Sequence, residues 1–340
     1  MHGGPPVGSA GAVLDPSARW GARGKPAYAG LVTFGGASYT EDAAELAGLD
    51  VAIVGAPSDE RVSDHPGARL GPRAIRAASV GPGTRVGTGI DALEILRVAD
   101  FGDAPVVPAD AEATDAAIEA TVRDVVAAGV LPVVLGGDHS TTHPAVRARR
   151  GDGPPLGLLQ LDAHADTAAE VFGVELSHGT QMRRLVQEGH VDPERFAQLG
   201  LRGYWPGPDV FAWQRERGIT TVPADALRAT GLEAGLDAAV AAVGPGPAWL
   251  SVDVDVLDPA FAPGTGTPEP GGLTSAELLW LVRELATRCT LAGVDVVEVS
   301  PLQEGSHDPT ALVASRVVRA ALDGIARRRA AVSPATGRPA

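Results

Sequence analysis

Short apolar runs alternate with longer amphipathic runs along most of the chain. The apolar runs are continuous rather than alternating, as in strands buried on both faces of a sheet. They predict eight strands, at Val51–Ala56, Leu96–Phe101, Leu131–Leu135, Gly157–Leu161, Phe196–Leu201, Ile219–Val222, Ala248–Val252 and Leu291–Val299. The amphipathic runs predict eight helices, at Gly71–Ala78, Thr114–Ala127, Thr141–Arg149, Gln181–Glu188, Asp209–Arg217, Leu232–Val243, Ser275–Thr290 and Thr310–Ala326.

This alternation predicts an α/β fold, with a mainly parallel sheet covered by helices on both faces. A closed barrel also has eight strands, so the pattern alone does not separate it from an open three-layer sandwich. One helix start is well marked, because Thr274 is a suitable N-cap and Glu277 follows three residues later.

The ends of the chain differ from its middle. Residues 1–28 are rich in Gly, Pro, Ala and Ser and predict a flexible N-terminal arm. Residues 29–330 are predicted to form a single domain, since no linker-like segment interrupts them. Residues 331–340 are predicted to be a disordered tail.

Composition excludes several classes of protein. The formal net charge is −14 over 340 residues, which disfavours nucleic acid and anionic lipid as partners. Cys289 is the single cysteine, so neither an internal disulfide nor a cysteine-based zinc site is possible. No stretch is long and apolar enough to span a bilayer, and the first residues lack the pattern of a signal peptide. A cytoplasmic location is therefore predicted.

Candidate chemistry follows three predicted strands directly. His139 lies in Gly136-Gly-Asp-His-Ser140, and Asp162, His164 and Asp166 alternate in Asp162-Ala-His-Ala-Asp166. Asp253 and Asp255 alternate in the same way after the strand that ends at Val252. The carboxyl ends of parallel strands are where α/β proteins place their sites. If these segments are extended, alternate side chains point the same way.

These six side chains comprise four carboxylates and two imidazoles. Carboxylates packed this closely repel one another, and divalent cations would relieve that repulsion. Six mixed oxygen and nitrogen ligands exceed one tetrahedral zinc and suit two ions such as manganese. A single Asp at a strand end is more often a helix cap or turn residue, so the prediction depends on all three strand ends together.

These motifs resemble those of the ureohydrolases, the family of arginase and agmatinase. The third motif continues as Ser251-Val-Asp-Val-Asp-Val-Leu-Asp-Pro259, and further similar segments occur in family order between about Phe34 and Ala326. They are Pro66-Gly-Ala-Arg-Leu-Gly-Pro-Arg-Ala-Ile-Arg76, Phe261-Ala-Pro-Gly-Thr-Gly-Thr-Pro268, Ser177-His-Gly-Thr180 and Glu298-Val-Ser-Pro301.

The resemblance implies an open, arginase-like α/β/α sandwich with a roughly eight-stranded sheet, rather than a barrel. It also implies two Mn²⁺ per subunit and a homotrimer or homohexamer. One ion would be held by His139, Asp162, Asp166 and Asp253. The other would be held by His164, Asp162, Asp253 and Asp255.

The resemblance implies further roles at the same site. Two cations lower the pKa of a water, and the resulting hydroxide attacks the guanidinium carbon to release urea and a primary amine. Asp166 would orient this hydroxide, and His178 would carry a proton to the leaving amine. Glu298 would bind the guanidinium group through charge-assisted hydrogen bonds. A surface role for His178 and a salt-bridge role for Glu298 are the simpler alternatives.

The substrate is predicted to be agmatine or a related guanidinoalkyl compound, including a guanidino-bearing secondary metabolite. Ser177-His-Gly-Thr180 resembles agmatinases and guanidino-acid hydrolases more than arginases, which makes L-arginine a poorer candidate. The loop Ser58–His65 departs from the agmatinase pattern. The alternatives are a guanidino-acid hydrolase (acting on 4-guanidinobutyrate, 3-guanidinopropionate or proclavaminate), a formiminoglutamase, and a non-catalytic binding protein.

Residues near the motifs have simpler predicted roles. Asp138 is expected to orient the loops around His139 rather than to bind metal. Tyr204, Trp205 and Trp213 are expected to pack in the core or an interface rather than to recognise substrate.

Overall fold

The computed structural model describes residues 29–79, 83–305 and 308–332. Within these ranges nine strands form one sheet. They are β1 (Ser38–Tyr39), β2 (Val51–Gly55), β3 (Val98–Asp103), β4 (Leu131–Leu135), β5 (Leu156–Leu161), β6 (Val191–Leu199), β7 (Thr220–Val222), β8 (Ala248–Asp253) and β9 (Leu291–Val297).

All neighbouring strands pair in parallel, in the order β1-β3-β2-β4-β9-β8-β5-β6-β7. Because β1 and β7 lie at opposite edges, the sheet is open, and the barrel that the pattern left possible is excluded. Helices connect the strands. They are α1 (Gly71–Ala78), α2 (Ala92–Ile95), α3 (Ala111–Ala127), α4 (Thr142–Arg150), α5 (Gln181–Gln187), α6 (Pro208–Glu216), α7 (Ala224–Thr230), α8 (Leu232–Val243), α9 (Ser275–Arg288) and α10 (Pro309–Val332).

Alternate residues of the strands pack into different apolar cores. In β4, Val133 and Leu135 belong to the core shared with α1, α8, α9 and α10, whereas Val134 packs with α3, α4 and α5. In β5, Leu159 belongs to the first of these cores and Leu158 to the second. Both faces of the sheet are therefore covered, which explains the continuous apolar runs and makes the fold an α/β/α sandwich.

All eight predicted strands and all eight predicted helices are present, with shifted ends. The capping box at Thr274 and Glu277 is also present. The two-residue β1 and the short helices α2 and α7 were not predicted, because none of them carries a long apolar period. Strand β6 begins at Val191, before the predicted Phe196. Its polar first half includes Pro193 and lies beside a register irregularity against β5, where proline is tolerated.

The predicted division of the chain stays a prediction. The arm at 1–28 lies outside the described residues, and of the tail at 331–340 only Ala331 and Val332 are described, as the last residues of α10. No helix among the described residues is long and apolar enough to cross a membrane.

Candidate metal centre and active site

Four neighbouring strands deliver the candidate residues to one edge of the sheet. Strands β4, β9, β8 and β5 are adjacent, and because they are parallel their carboxyl ends share that edge. His139 follows β4 and Asp162 follows β5, while Asp253 ends β8 and Glu298 follows β9. Residues far apart in sequence thus lie close together, because each is at or just after the end of its strand.

Each motif turns sharply at its strand end. Asp162 Oδ1 accepts the His164 N–H at 2.6 Å, and Asp253 Oδ1 accepts the Asp255 N–H at 2.9 Å. These are Asx turns, in which an Asp side chain accepts the backbone N–H two residues on. The expectation of extended segments is therefore wrong at this point, since the residues after Asp253 form a 3₁₀ turn. The turns direct the second carboxylate oxygen of each Asp, Oδ2, towards His139.

The first group of side chains surrounds His139. Its Nδ1 lies 3.1 Å from Asp162 Oδ2, 2.9 Å from Asp166 Oδ2 and 3.2 Å from Asp253 Oδ2. His139 and all three aspartates are buried. Asp166 has a positive φ of 53°, a backbone conformation that is strained for a residue other than glycine.

The second group surrounds His164, whose Nδ1 lies 2.9 Å from Asp255 Oδ2 and 3.7 Å from Asp162 Oδ1. Asp162 belongs to both groups, so the two groups are contiguous. All six side chains predicted as ligands therefore come together at one place.

Hydrogen bonding around His139 indicates a cation at its inner nitrogen. On the outer side, His139 Nε2 lies 2.8 Å from Ser251 Oγ, and that hydroxyl donates to Asp295 at 2.6 Å. Ser251 has one proton and gives it to Asp295, so the proton of the neutral imidazole is on Nε2. In this neutral form the inner Nδ1 presents a lone pair to three carboxylates, and it has no hydrogen-bond partner. Burial lowers the pKa of His139, but these carboxylates outweigh burial and raise it well above its usual value, so the position favours a positive charge. A divalent cation would satisfy this buried arrangement, so the residues fit a metal.

The raised pKa values of two aspartates also indicate a site for a cation. Burial, together with the charges of Asp166 and Asp255, raises the pKa of Asp162 to about 7. Burial and the same kind of repulsion raise the pKa of Asp253 well above its usual range. Carboxylates that favour protonation in the absence of positive charge are suited to bind cations.

A row of buried amides orients the aspartates from behind. Gln160 Nε2 donates to Asp162 Oδ2 at 2.7 Å, and Gln198 Nε2 donates to Gln160 Oε1 at 2.6 Å. Gln214 Nε2 continues the row to Gln198 Oε1 at 2.7 Å. Gln181 Nε2 donates separately to Asp166 Oδ2 at 2.6 Å. Each amide directs an N–H at an oxygen, which fixes the carboxylate orientation.

Glu298 and His178 form a second functional unit beside the cluster. Glu298 Oε1 accepts the backbone N–H of His139 at 2.8 Å and lies 2.9 Å from His178 Nδ1. Glu298 Oε2 is buried and has no partner, and the residue holds a positive φ of 63°. A buried carboxylate oxygen without a partner is costly, and a cationic donor would satisfy it.

His178 lies between Glu298 and Ser63. The Ser63 N–H donates to His178 Nε2 at 3.0 Å, so Nε2 carries a lone pair and Nδ1 donates its proton to Glu298. Burial lowers the pKa of His178, but the negative charge of Glu298 outweighs burial and raises it to about 9. This pKa favours the doubly protonated ring at neutral pH, and Nε2 can hold that second proton once it leaves the Ser63 N–H.

The loop Ser58–His65 is anchored to the site at several points. Asp138 Oδ2 accepts the Arg61 N–H at 3.0 Å, and its Oδ1 accepts the Ser140 N–H at 2.8 Å. Asp138 thus ties this loop to the segment of His139, which is the orienting role expected for it. The backbone of Arg61 also accepts the His178 N–H at 3.2 Å.

A cavity of about 400 Å³ opens in front of the cluster. Its inner wall includes His164, Asp166 and Asp253, and its outer wall includes Phe172 and Trp205. The Trp205 ring packs edge-on to His164, with 6.0 Å between ring centroids. Trp205 is 41% exposed, so it does not pack in the core, and its place in an interface stays a prediction.

The other two aromatic residues lie elsewhere. Trp213 packs against the guanidinium groups of Arg183 and Arg217, and Tyr204 is fully exposed.

Sequence reasoning missed the supporting residues, although a signal for them was present. Ser251, Asp295 and Gln160 are polar residues inside runs that predict fully buried strands. A buried polar side chain needs a partner. Gln160 bonds to the ligand Asp162 and Ser251 to the ligand His139, while Asp295 bonds to Ser251. Ser63, Phe172 and Trp205 gave no such signal, because their contacts are made between loops distant in sequence.

The fold and this cluster define an α/β protein with a group of His and Asp side chains that could hold metal ions at the carboxyl edge of its sheet. The Arginase family model matches residues 49–323. A guanidinopropionase of Pseudomonas aeruginosa is 45% identical over 279 residues, which are 81% of this chain and 86% of that protein.

Solved structures agree with this comparison. The proclavaminate amidino hydrolase of Streptomyces clavuligerus has a TM-score of 0.84 at 36% identity, covering 89% of this chain and 100% of that one. A hypothetical agmatinase of Burkholderia thailandensis has a TM-score of 0.81 at 36% identity, covering 90% and 94%. The chain belongs to the Arginase family. It is an amidinohydrolase, an enzyme that cleaves guanidino C–N bonds.

Proposed function

We propose that the protein hydrolyses a guanidinoalkyl compound to urea and a primary amine with two bound Mn²⁺ ions. The observation that carries the proposal is the position of the unpartnered Glu298 Oε2, a cation acceptor beside a buried set of metal-ligand side chains. Similarity to proteins named guanidinopropionase and proclavaminate amidino hydrolase supports the same reaction class.

The proposed ligand sets share two aspartates. His139, Asp162, Asp166 and Asp253 would hold one ion, and His164, Asp162, Asp253 and Asp255 the other. When bound, the ions lower the pKa of a neighbouring water, so that hydroxide is available at neutral pH.

The side chains around this water have separate tasks. Glu298 binds the guanidinium group and holds its planar carbon towards the cluster. Asp166 orients the attacking oxygen through its carboxylate. His178 hydrogen-bonds to Glu298 and is therefore close to the same substrate group.

The proposed reaction is balanced in atoms and protons without another reactant. Water and the guanidinium ion together supply the atoms of urea and the alkylammonium product. The new bond joins oxygen to the guanidinium carbon, and the bond from that carbon to the alkyl nitrogen breaks. His178 takes a proton at Nε2 and gives it to the leaving nitrogen.

A urea-release assay on manganese-loaded protein tests the proposal. We expect urea from agmatine, 4-guanidinobutyrate or 3-guanidinopropionate, and little from L-arginine. Glu298→Gln should lower kcat/KM by about 100-fold or more, because one charge-assisted acceptor is lost. Asp152→Asn, an exposed change in the turn before β5, is the control and should keep full activity.

The alternatives give different products. Formamide in place of urea, released from a formimino compound, would favour a formiminoglutamase. A metal-loaded protein that turns over no guanidino compound would favour the non-catalytic binding protein and contradict the proposal.

The predicted homotrimer or homohexamer and the cytoplasmic location stay predictions. Light scattering of the purified protein tests the first, and fractionation of the source cells tests the second.

A further inference from the structure

Exposure divides the cavity into an inner and an outer end. The side chains of Asp166 and Asp253 are about one-twentieth exposed, whereas that of Asp64 is 61% exposed. Phe172 and Trp205 are also strongly exposed, at 88% and 41%. A substrate whose guanidinium group meets Glu298 would therefore direct its other end towards Asp64, Phe172 and Trp205.

The outer end carries negative charge without an opposing base. Among the described residues that line the cavity there is no lysine or arginine, and Asp64 is the charged side chain of the outer wall. Two arginines close to Asp64 in the sequence are engaged elsewhere. Arg61 Nη1 pairs with Asp115 of α3 at 2.7 Å, and Arg69 pairs with Asp59.

His65 lies beside Asp64 but is not among the residues that line the cavity. Its Nδ1 lies 3.1 Å from Asp64 Oδ2 and 3.3 Å from the Gly266 carbonyl oxygen. Both neighbours are acceptors, so one Nδ1–H is shared between them. Asp64 keeps its other carboxylate oxygen and most of its exposed surface for a ligand.

The aromatic wall has a defined local structure. Val171 and Val174 exchange backbone hydrogen bonds at 3.0 and 2.9 Å, and the two residues between them both have positive φ, 52° at Phe172 and 79° at Gly173. These are the dihedrals of a type I′ turn, which presents the Phe172 ring at its tip. Gly179 lies against the Trp205 ring, where a Cβ would approach it to 2.9 Å.

We propose that Asp64 is a specificity-determining residue that selects guanidinoalkyl substrates ending in an ammonium group over those ending in a carboxylate. The alkyl chain packs along Phe172 and Trp205, and the ammonium group meets the Asp64 carboxylate and the aromatic faces. A terminal carboxylate would meet like charge with no base to offset it. This inference rests on the proposed function and names the substrate class of the same site.

The inference is opposed to what similarity alone indicates. The 45% identical relative is named guanidinopropionase, and its name describes a substrate with a carboxylate end. Charge at the outer wall and overall identity therefore predict opposite substrate preferences, so a paired assay distinguishes them.

Agmatine and 4-guanidinobutyrate form a suitable pair, because their alkyl chains are similar and their end groups have opposite charge. We expect wild-type protein to prefer agmatine in kcat/KM, mainly through KM, and the preference to weaken as salt is added. Asp64→Asn should reduce the ratio of the two kcat/KM values by about fivefold, as expected for a partly exposed ion pair. Asp64→Lys should reduce this ratio further and so favour 4-guanidinobutyrate.

Asp152→Lys is the matched control. It makes the same change of charge on an exposed turn before β5, at the opposite edge of the sheet, and should leave the ratio unchanged. A preference of the wild type for 4-guanidinobutyrate, or a ratio that Asp64→Asn and Asp64→Lys both leave unchanged, would overturn the inference. Urea from neither compound, nor from 3-guanidinopropionate, would instead contradict the proposed function, so the two failures are distinguishable.

Discussion

At the scale of single residues, the centre depends on polar side chains inside the strands as well as on its ligands. Ser251 accepts a hydrogen bond from His139 and donates one to Asp295, which also accepts from Trp249 Nε1 at 2.6 Å. This chain fixes which imidazole nitrogen faces the carboxylates. Partners of this kind commonly change metal affinity as strongly as a weak ligand does.

Replacement of Ser251 tests this dependence. Ser251→Ala removes the acceptor of His139 Nε2 and frees the ring to adopt the other tautomer. We expect manganese affinity to fall by about 10- to 100-fold, measured by calorimetric titration of metal-free protein. Ser315→Ala is the control, since Ser315 is equally buried but its hydroxyl bonds within α10. Equal affinities in the two variants would contradict the role of Ser251.

At the scale of elements, one close contact holds a site loop against the sheet and another joins a helix to it. The first is at Gly137, after β4, where an added Cβ would lie 1.7 Å from the backbone oxygen of Ser58. The Asp138 N–H donates to that same oxygen at 2.8 Å. The loop Ser58–His65 can therefore reach His178 and the cavity only if position 137 has no side chain.

Gly137→Ala should move this loop and destabilise the fold. Overpacking against backbone costs about 1–3 kcal/mol of unfolding free energy, measurable by urea denaturation, and kcat/KM should fall because Ser63 shifts away from His178. Gly87→Ala is the control, because its Cβ would meet only the Arg85 side chain, at 3.6 Å, among the described residues. Equal stability of the two variants would show that the loop adapts without cost.

The second close contact joins the end of α10 to the start of β2. Asp50 accepts from Arg97 at 3.1 Å and pairs with Arg329 Nη1 at 2.5 Å. Burial alone would raise the pKa of Asp50, but the hydrogen bonds from the two arginines outweigh burial and lower it. The folded protein therefore binds the Asp50 proton more weakly than the unfolded chain does.

This shift predicts the pH dependence of the contact. The stabilisation that ionised Asp50 contributes is fully present above the pKa of an aspartate in the unfolded chain, about 3.9. It is lost as the pH falls through the lower pKa of Asp50 in the folded protein. Asp50→Asn should thus destabilise by about 1 kcal/mol at pH 7, and the difference from wild type should shrink below about pH 4. Thermal unfolding across this range measures it. Asp225→Asn, at a 98% exposed ion pair with Arg228, should have little effect at any pH.

At the scale of the whole molecule, the strand order concentrates buried negative charge at one edge of the sheet. The carboxylates of Asp162, Asp166, Asp253 and Asp255 come from two strands that are neighbours in the sheet but distant in sequence. Their mutual repulsion is present only in the folded state, because the unfolded chain separates the two segments. Cations bound at this edge should therefore stabilise the fold.

Manganese should raise the melting temperature of metal-free protein. For one site that forms only on folding, a ligand present at 100 times its Kd adds about 2.7 kcal/mol to the free energy of unfolding. This increase raises the melting temperature of a chain of this size by several degrees. Asp255→Asn should reduce the shift, whereas Asp152→Asn should retain it. An unchanged melting temperature with saturating Mn²⁺, measured by differential scanning fluorimetry, would contradict the metal centre.

The local sequence pattern was sufficient to predict the main helices and strands and the types of ligand side chain at the strand ends. Continuous apolar runs such as Leu131–Leu135 mark strands buried on both faces, since burial at each position is a local property of the sequence. Short elements such as β1 and α7 escaped prediction because a few residues do not establish a period. The six ligand types were recognisable because they directly follow predicted strands.

The amino-acid sequence by itself thus determined an α/β fold and a set of carboxylates and imidazoles that suit metal ions. The tertiary structure confirmed the open sheet that the motif resemblance implied. Only the tertiary structure decided that Glu298 lies 2.8 Å from the backbone nitrogen of His139, 159 residues earlier. It alone placed Asp64, Phe172 and Trp205 around one cavity. The physical reason is that periodicity records which face of an element is buried, whereas contacts between loops depend on strand order and on packing between distant segments.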